Sequence, residues 1–478
     1  MHRFRLQILV TTNHIYIGWL YIMFGLIGGS IGLSLSLILR LELALPGFLI
    51  CSSIQYNSCI TFHGIFMTSF MIMPILIGGF GNILIPLMLC TSDMIFPRLN
   101  ALSLWLVIES LFSMVIAMLL DGGVNAGWTF YVPLSIMNYC SIDSMFFSLH
   151  IIGLSSLPGS INFIVTIFKA SNLSIQYNIL FLSLFSWSIF FTSILLIISL
   201  PVLAGCITTI IFDRHSNTSF SDPIRGGDIV HPQHPSWFFG HPEVYISILP
   251  ASGLISEILS KFTLSIIFGR DSMLIAPLTI AFPGCIVWGH HMFMVGFDID
   301  TKAYFTISTS IIAIPTGIKI LNWLATIWSG CFFYVTPLFS IIGFPFSFSF
   351  GGFTGLIIAS CIIDNLSHDT HSVIGHFHYV LSLGAVYTIF ASIHNYINLL
   401  TSMTYNELLG RLHYTFFFIS PNLIFLSMHI LGINSFPRRI FDYPIFYTRF
   451  HWFNSFGLIG IILSLILFIF SILLFKCN

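Results

Sequence analysis

The chain has 478 residues, 56% hydrophobic and only 7% charged, with a formal net charge of −1 and a mean hydropathy of +0.96. A soluble domain carries about 25% charged residues, so this chain cannot clothe a water-facing surface and reads as a polytopic membrane protein. The near-zero net charge argues against nucleic acid as a partner.

A span needs about 20 mainly apolar residues. Twelve stretches qualify, at roughly 15–39, 57–90, 99–120, 145–168, 178–211, 237–260, 271–291, 303–327, 332–360, 373–400, 411–431 and 450–475. The expected fold is therefore all-α, about twelve transmembrane helices in a single domain over residues 1–478. The first apolar run begins near Ile15 and is long enough to span, so it does not read as a cleavable signal. The nine cysteines are scattered with no C-x-x-C pair, so neither a disulfide framework nor a zinc or iron–sulfur signature is visible. Lysine and arginine divide almost evenly between the two ends of the spans and set no orientation. Acidic residues crowd one side, a face suited to a basic partner protein or to divalent cations.

Several spans carry groups that hydrocarbon solvates badly, and such groups are candidate functional sites. The second holds His63 in Thr61-Phe-His63-Gly64. Gly64 leaves room for a flat ligand against the backbone; alone, His63 also fits a hydrogen-bonded core histidine. The sixth opens Trp237-Phe-Phe-Gly-His241-Pro-Glu243-Val-Tyr245, with His241 and Tyr245 at i, i+4 on one helix face. Glu243 points elsewhere, either as a proton carrier or as a structural carboxyl bonded to a neighbouring helix. The seventh holds Trp288-Gly-His290-His291-Met. Adjacent histidines diverge by about 100° on a regular helix, wide for one metal unless the helix end is distorted. With His241 they make a three-imidazole set suited to copper, zinc or iron.

The eighth span holds Pro315-Thr316-Gly-Ile-Lys319, with a lysine in mid-span and Thr316 on its face. The tenth is preceded and opened by His368-Asp369-Thr-His371-Ser-Val-Ile-Gly-His376-Phe377-His378. His376 and His378 project about 200° apart, so one helix can serve a metal centre on each side. Arg438-Arg439 follow the eleventh span and either mark a membrane edge or bind paired carboxylates.

These motifs, together with Met73-Pro-Ile-Leu-Ile-Gly-Gly-Phe-Gly-Asn82, Asp93-Met-Ile-Phe-Pro-Arg98 and Pro437-Arg-Arg, resemble subunit I of the haem–copper oxidases, mitochondrial aa3 type, from about residue 10 to about 475. The resemblance implies a catalytic subunit that oxidises ferrocytochrome c, reduces dioxygen to water and pumps protons. It implies His63 and His378 as axial ligands of the low-spin haem a, and His376 as the proximal ligand of haem a3. His241, His290 and His291 would bind copper, with Tyr245 cross-linked to His241. Arg438, Arg439, Trp128 and Asp364 would hold haem propionates, and Arg40 would contact the formyl group of haem a. His368 and Asp369 would bind magnesium, and Glu42 would join a sodium or calcium site. One proton route to Glu243 would pass Asp93, Asn82, Asn100, Ser155, Ser156 and Asn162. A second, to Tyr245, would use Lys319, Thr316 and Ser256; Ser256 lies eleven residues past Tyr245, about three turns, on the same helix face.

The implied partners are oxidase subunits II and III, further small subunits, membrane lipid, and cytochrome c docking mainly through subunit II. The implied location is the mitochondrial inner membrane. Two stretches depart from the family pattern: Ile15-Tyr16 replace a charged pair, and His371-Ser372 replace two tyrosines, so His371 is assigned no metal. A quinol-fed oxidase shares nearly every motif. Nitric oxide reductase lacks the Tyr245–Lys319 pair, and a twelve-span secondary transporter leaves the six histidines unexplained.

Overall fold

The computed structural model describes residues 11–137, 140–169, 182–474 and 476–477. Arg3, Arg5, residues 178–181 of the fifth expected span and residue 475 of the twelfth lie outside these. Twelve described helical segments are long and apolar enough to cross a membrane. They are α1 (His14–Glu42), α2 (Ser53–Met88), α3 (Pro97–Leu119), α4 (Cys140–Lys169), α5 (Leu184–His215), α6 (Gln233–Thr263), α7 (Arg270–Val295), α8 (Ile299–Ser329), α9 (Thr336–Ile358), α10 (His371–Thr401), α11 (Glu407–Ile433) and α12 (Ile445–Leu473). The chain is a multi-pass, all-α membrane protein. Several helices outrun the apolar stretches: α2 starts at Ser53, where a Ser52–Gln55 capping box opens it. A helix needs hydrogen-bonded ends, and these fall in the polar rim beyond the hydrocarbon.

The chain forms two compact units. One comprises Met1–Ser36, Ser52–Pro250 and Gly284–Val295; the other comprises Leu37–Cys51, Ala251–Pro283 and Gly296–Asn478. In the first unit, α1 meets α2 along small residues, as close-packed membrane helices do. A methyl at Gly28 would stand 2.7 Å from the Phe70 carbonyl oxygen. At that contact and just beyond it α2 widens into π-helical turns at Thr68–Ile72 and Pro74–Gly81, a distortion often found at functional sites. On α3 and α4, Ser110 and Ser148 each donate to the other's backbone carbonyl, at 2.7 and 2.6 Å.

In the second unit, residues 369–371 lie antiparallel to 436–438. His371 N donates to Phe436 O (3.0 Å), Arg438 N donates to Asp369 O (2.8 Å), and Thr370 bridges Pro437. This clasp fixes the start of α10 against the end of α11. A π-turn at Leu381–Ala385 follows the two histidines of α10.

Candidate metal centre and proton paths

In the first unit, His241 comes from α6 and His290 and His291 from the end of α7. Regular α-helix stops at Gly284, and Trp288–Val295 continues as a tighter helix broken at Met292 (φ −124°, ψ 19°). That distortion overcomes the divergence expected of adjacent histidines. One nitrogen from each of the three rings falls within 4.8 Å of the others. The His241 and His290 rings are 4.5 Å apart and the His290 and His291 rings 4.1 Å apart. His241 Nδ1 faces His291 Nε2 at 3.1 Å, and His241 Nε2 is buried with no hydrogen-bond partner among the described residues. Three converging imidazoles, with the buried His241 Nε2 left without a hydrogen-bond partner among the described residues, fit a transition-metal ion.

An aromatic wall holds this set. Trp237 stacks on His291 at 4.0 Å and 9°, its indole N–H donates to Tyr131 Oη (2.9 Å), and Trp128 meets it edge-on at 5.8 Å. Tyr245 lies 4.5 Å from His241, centroid to centroid, at 74°. The expected i, i+4 contact is therefore present. Trp237 as the support of His291 was not read from the sequence, because stacking between α6 and α7 leaves no mark in either helix's pattern.

Glu243 is buried and turns away from the three rings. Ser69 Oγ on the π-turn of α2 donates to its Oε1 at 3.3 Å. A cavity of about 80 Å³ in the first unit is lined by Ser69 together with Asn82, Asn100, Ser155 and Ser156. Four of the six residues expected on the first route thus share one space. Asn82 Oδ1 and Asn100 Nδ2 are buried there with no hydrogen-bond partner among the described residues, and the volume exceeds the ~10–15 Å³ that one water needs. Tyr21 and Ser103 also line it, joined at 2.8 Å. Asp93 and Asn162 are not among its lining residues: the Asp93 carboxylate accepts from Met94 N (2.7 Å), and Asn162 caps the backbone of Phe96. His63, elsewhere on α2, has its Nδ1 2.8 Å from Gly32 O. The side of Gly64 that was expected to admit a flat ligand is faced by the Trp128 ring, 3.5 Å from where a methyl would stand.

In the second unit, His376 Nδ1 lies 2.8 Å from Gly351 O and His378 Nδ1 lies 2.8 Å from Ile374 O. In both rings Nδ1 is engaged by a backbone carbonyl, as in His63. Gly355 makes the space beside His376, since a methyl there would stand 2.5 Å from Cε1. Lys319 is buried, donates to Ser252 Oγ and lies over the Trp323 ring. Ser256, the residue expected on this route, instead accepts from Trp323 Nε1 (2.9 Å), one turn further along α6. Thr316 donates back to Ile312 O within its own helix. Ser252 was missed because spacing alone does not distinguish two serines four residues apart.

The polar cluster before α10 joins Asp364, His368, Asp369 and Arg438. His368 Nδ1 is 3.1 Å from Asp364, its Nε2 is 3.9 Å from Asp369, and Arg438 pairs with Asp369. Burial lowers the His368 pKa, but the Asp364 hydrogen bond and the charges of Asp364 and Asp369 outweigh it and leave the pKa raised. Arg439, with φ +64°, follows directly. Asn454, with its amide oxygen turned to Arg40, accepts from that guanidinium at 3.1 Å. Glu42 is fully buried, and its carboxylate accepts the amides of Leu49, Ile50 and Cys51 at 3.1, 2.7 and 2.9 Å. His371 Nδ1 is held at Pro437 O (3.1 Å).

The sequence profile of the family described as cytochrome c and quinol oxidase polypeptide I matches residues 16–466. The chain belongs to that family. It is the catalytic subunit of a terminal oxidase, an oxidoreductase that works with haem and copper alongside other oxidase subunits. Similar relatives include cytochrome c oxidase subunit 1 of Pecten maximus, 44% identical over 96% of this chain and 97% of the relative. The subunit of the same name from Candida albicans is 42% identical over 98% of this chain and 89% of the relative. A solved haem–copper terminal oxidase dimer has a chain of the same fold, with TM-score 0.80 at 19% identity, covering 97% of this chain and 84% of that one.

Proposed function

We propose that this subunit oxidises ferrocytochrome c, reduces dioxygen to water and pumps protons in the mitochondrial inner membrane. The observation that carries the reading is the three-imidazole set with Tyr245 against one of its rings. His241, His290 and His291 would hold copper, His376 would hold haem a3, and His63 and His378 would hold haem a. When bound, these groups supply electron transfer and the binding of dioxygen.

The chain's own residues hold the rings and move protons. Gly351 O fixes the tautomer of His376, and Trp237 clamps the plane of His291. Tyr245 has its hydroxyl-bearing ring at His241, placed to give a proton and an electron. Asp93, Asn82, Asn100, Ser155, Ser156 and Asn162 lead protons to Glu243, which passes them on from Ser69. Lys319, with Thr316, Ser256 and the Ser252 that accepts its hydrogen bond, serves the second route.

Arg438, Arg439, Trp128 and Asp364 hold propionates, and Arg40 contacts the haem a formyl group. His368 and Asp369 bind magnesium. Glu42 joins a sodium or calcium site, although three amide donors already occupy most of its lone-pair sites. Subunits II and III, small subunits and lipid complete the complex, and cytochrome c docks through subunit II. A reduced-minus-oxidised spectrum of the purified complex tests the cofactor reading: haem a bands are expected, and their absence refutes it. Parallel assays with ferrocytochrome c and a quinol decide the donor.

A further inference from the structure

Glu109 stands near the middle of α3, twelve residues from Pro97 and ten from Leu119, about 18 and 15 Å along the axis. It is exposed, and its carboxylate has no hydrogen bond or ion pair among the described residues; only its backbone carbonyl is used, by Ser113 Oγ at 3.0 Å. Leu102, Trp105, Phe112, Ile116 and Leu119 are exposed at the same three- and four-residue spacing, 50, 38, 63, 53 and 74% respectively. They form one outward stripe with Glu109 at its centre. The opposite side of α3, including Leu104, Val107, Leu111 and Met114, is buried.

A carboxyl at this depth is costly in lipid, several kcal/mol by insertion scales of about 2.5–3.5. Two methylenes cannot carry it ~15 Å to the interface, so snorkelling does not relieve the cost. Hydrocarbon offers no hydrogen bond. A second copy of this chain docked by the same face across a two-fold axis would set Glu109 against Glu109, like charges in a low dielectric. A donor on another transmembrane helix relieves the cost and needs no change in this chain.

We propose that the α3 stripe is the docking face for a membrane-spanning helix of another oxidase subunit, one that presents a hydrogen-bond donor side chain to Glu109 at mid-bilayer. The apolar stripe supplies the packing and Glu109 the register, the role one buried polar residue takes in specifying helix pairing.

The test uses the whole complex in its native membrane. A benzoylphenylalanine in place of Phe112, photolysed in the membrane, is expected to crosslink to a transmembrane peptide of another oxidase subunit containing a Lys, Arg, His, Asn, Gln, Ser or Thr. Crosslinks only to lipid, or to a second copy of this chain, overturn the proposal. In parallel, Glu109→Leu is expected to lose that subunit from the complex in mild detergent, with haem content per chain unchanged, and Glu109→Gln to keep it. Full retention of every subunit in Glu109→Leu also overturns the proposal. Loss of haem a in the unmutated complex would instead refute the cofactor reading and leave this one standing.

Discussion

The proposed copper and haem a3 sites present imidazoles in opposite ways. The first brings His241, His290 and His291 together from two helices, breaks α7 to do so, and stacks Trp237 on the result. The second offers His376 singly, held at Nδ1 by the Gly351 carbonyl and the Thr354 hydroxyl on a helix of ordinary geometry, with Gly355 kept small beside it. The difference follows from what else holds the metal. A copper ion depends on protein for its ligands, so several side chains must converge. An iron in a macrocycle needs one or two axial ligands from the protein, so the fold supplies an imidazole and space.

Substitutions test this contrast from both sides. His290→Ala removes a ligand and should lower oxygen reduction by more than the ~100-fold that loss of an outer-shell partner costs, while both haems stay bound. Haem loss in that variant would erase the distinction between the sites. Gly355→Ala should do the reverse: the added methyl displaces His376, so the high-spin haem band falls while copper remains. Retained haem a3 at full occupancy would show that the space beside His376 is not required.

The proton groups form a second pair. Glu243→Gln keeps the Ser69 contact but cannot carry a proton, so steady-state turnover should fall by about 10²-fold, the lower end of the range for general acid–base groups. Ser252→Ala removes the acceptor of Lys319, a hydrogen bond worth about 0.5–1.5 kcal/mol. Reduction of the oxidised enzyme should slow about tenfold, with Ser256→Ala having the smaller effect. Equal effects would return Ser256 to the place the spacing gave it. The smallest change is expected from Trp237→Phe, which keeps the stack on His291 and loses the bond to Tyr131. Copper affinity should fall by about tenfold at most.

The spans and most of the polar residues of the sites were legible because both leave local marks. Hydropathy over ~20 residues finds a helix that must cross hydrocarbon, and histidines there stand out against Leu, Ile and Phe. What escaped was tertiary. The convergence of His290 and His291 depends on a broken helix end, which sequence spacing could state only as a condition. Ser252 and Ser256 share a face of α6, and only the position of α8 selects Ser252 for Lys319. Gly355 looked like any other small residue in an apolar run, and its use is visible only beside His376. Glu109 was passed over because a lone carboxyl in a span has no motif; its outward direction appears only once α3 is packed.

His241, His290 and His291 are proposed to hold one copper ion. Metal content per chain in the purified complex, compared between the natural sequence and His291→Ala, tests it most directly. One copper fewer is expected in the variant, with iron unchanged. Equal copper in both, or the loss of zinc instead, would contradict it.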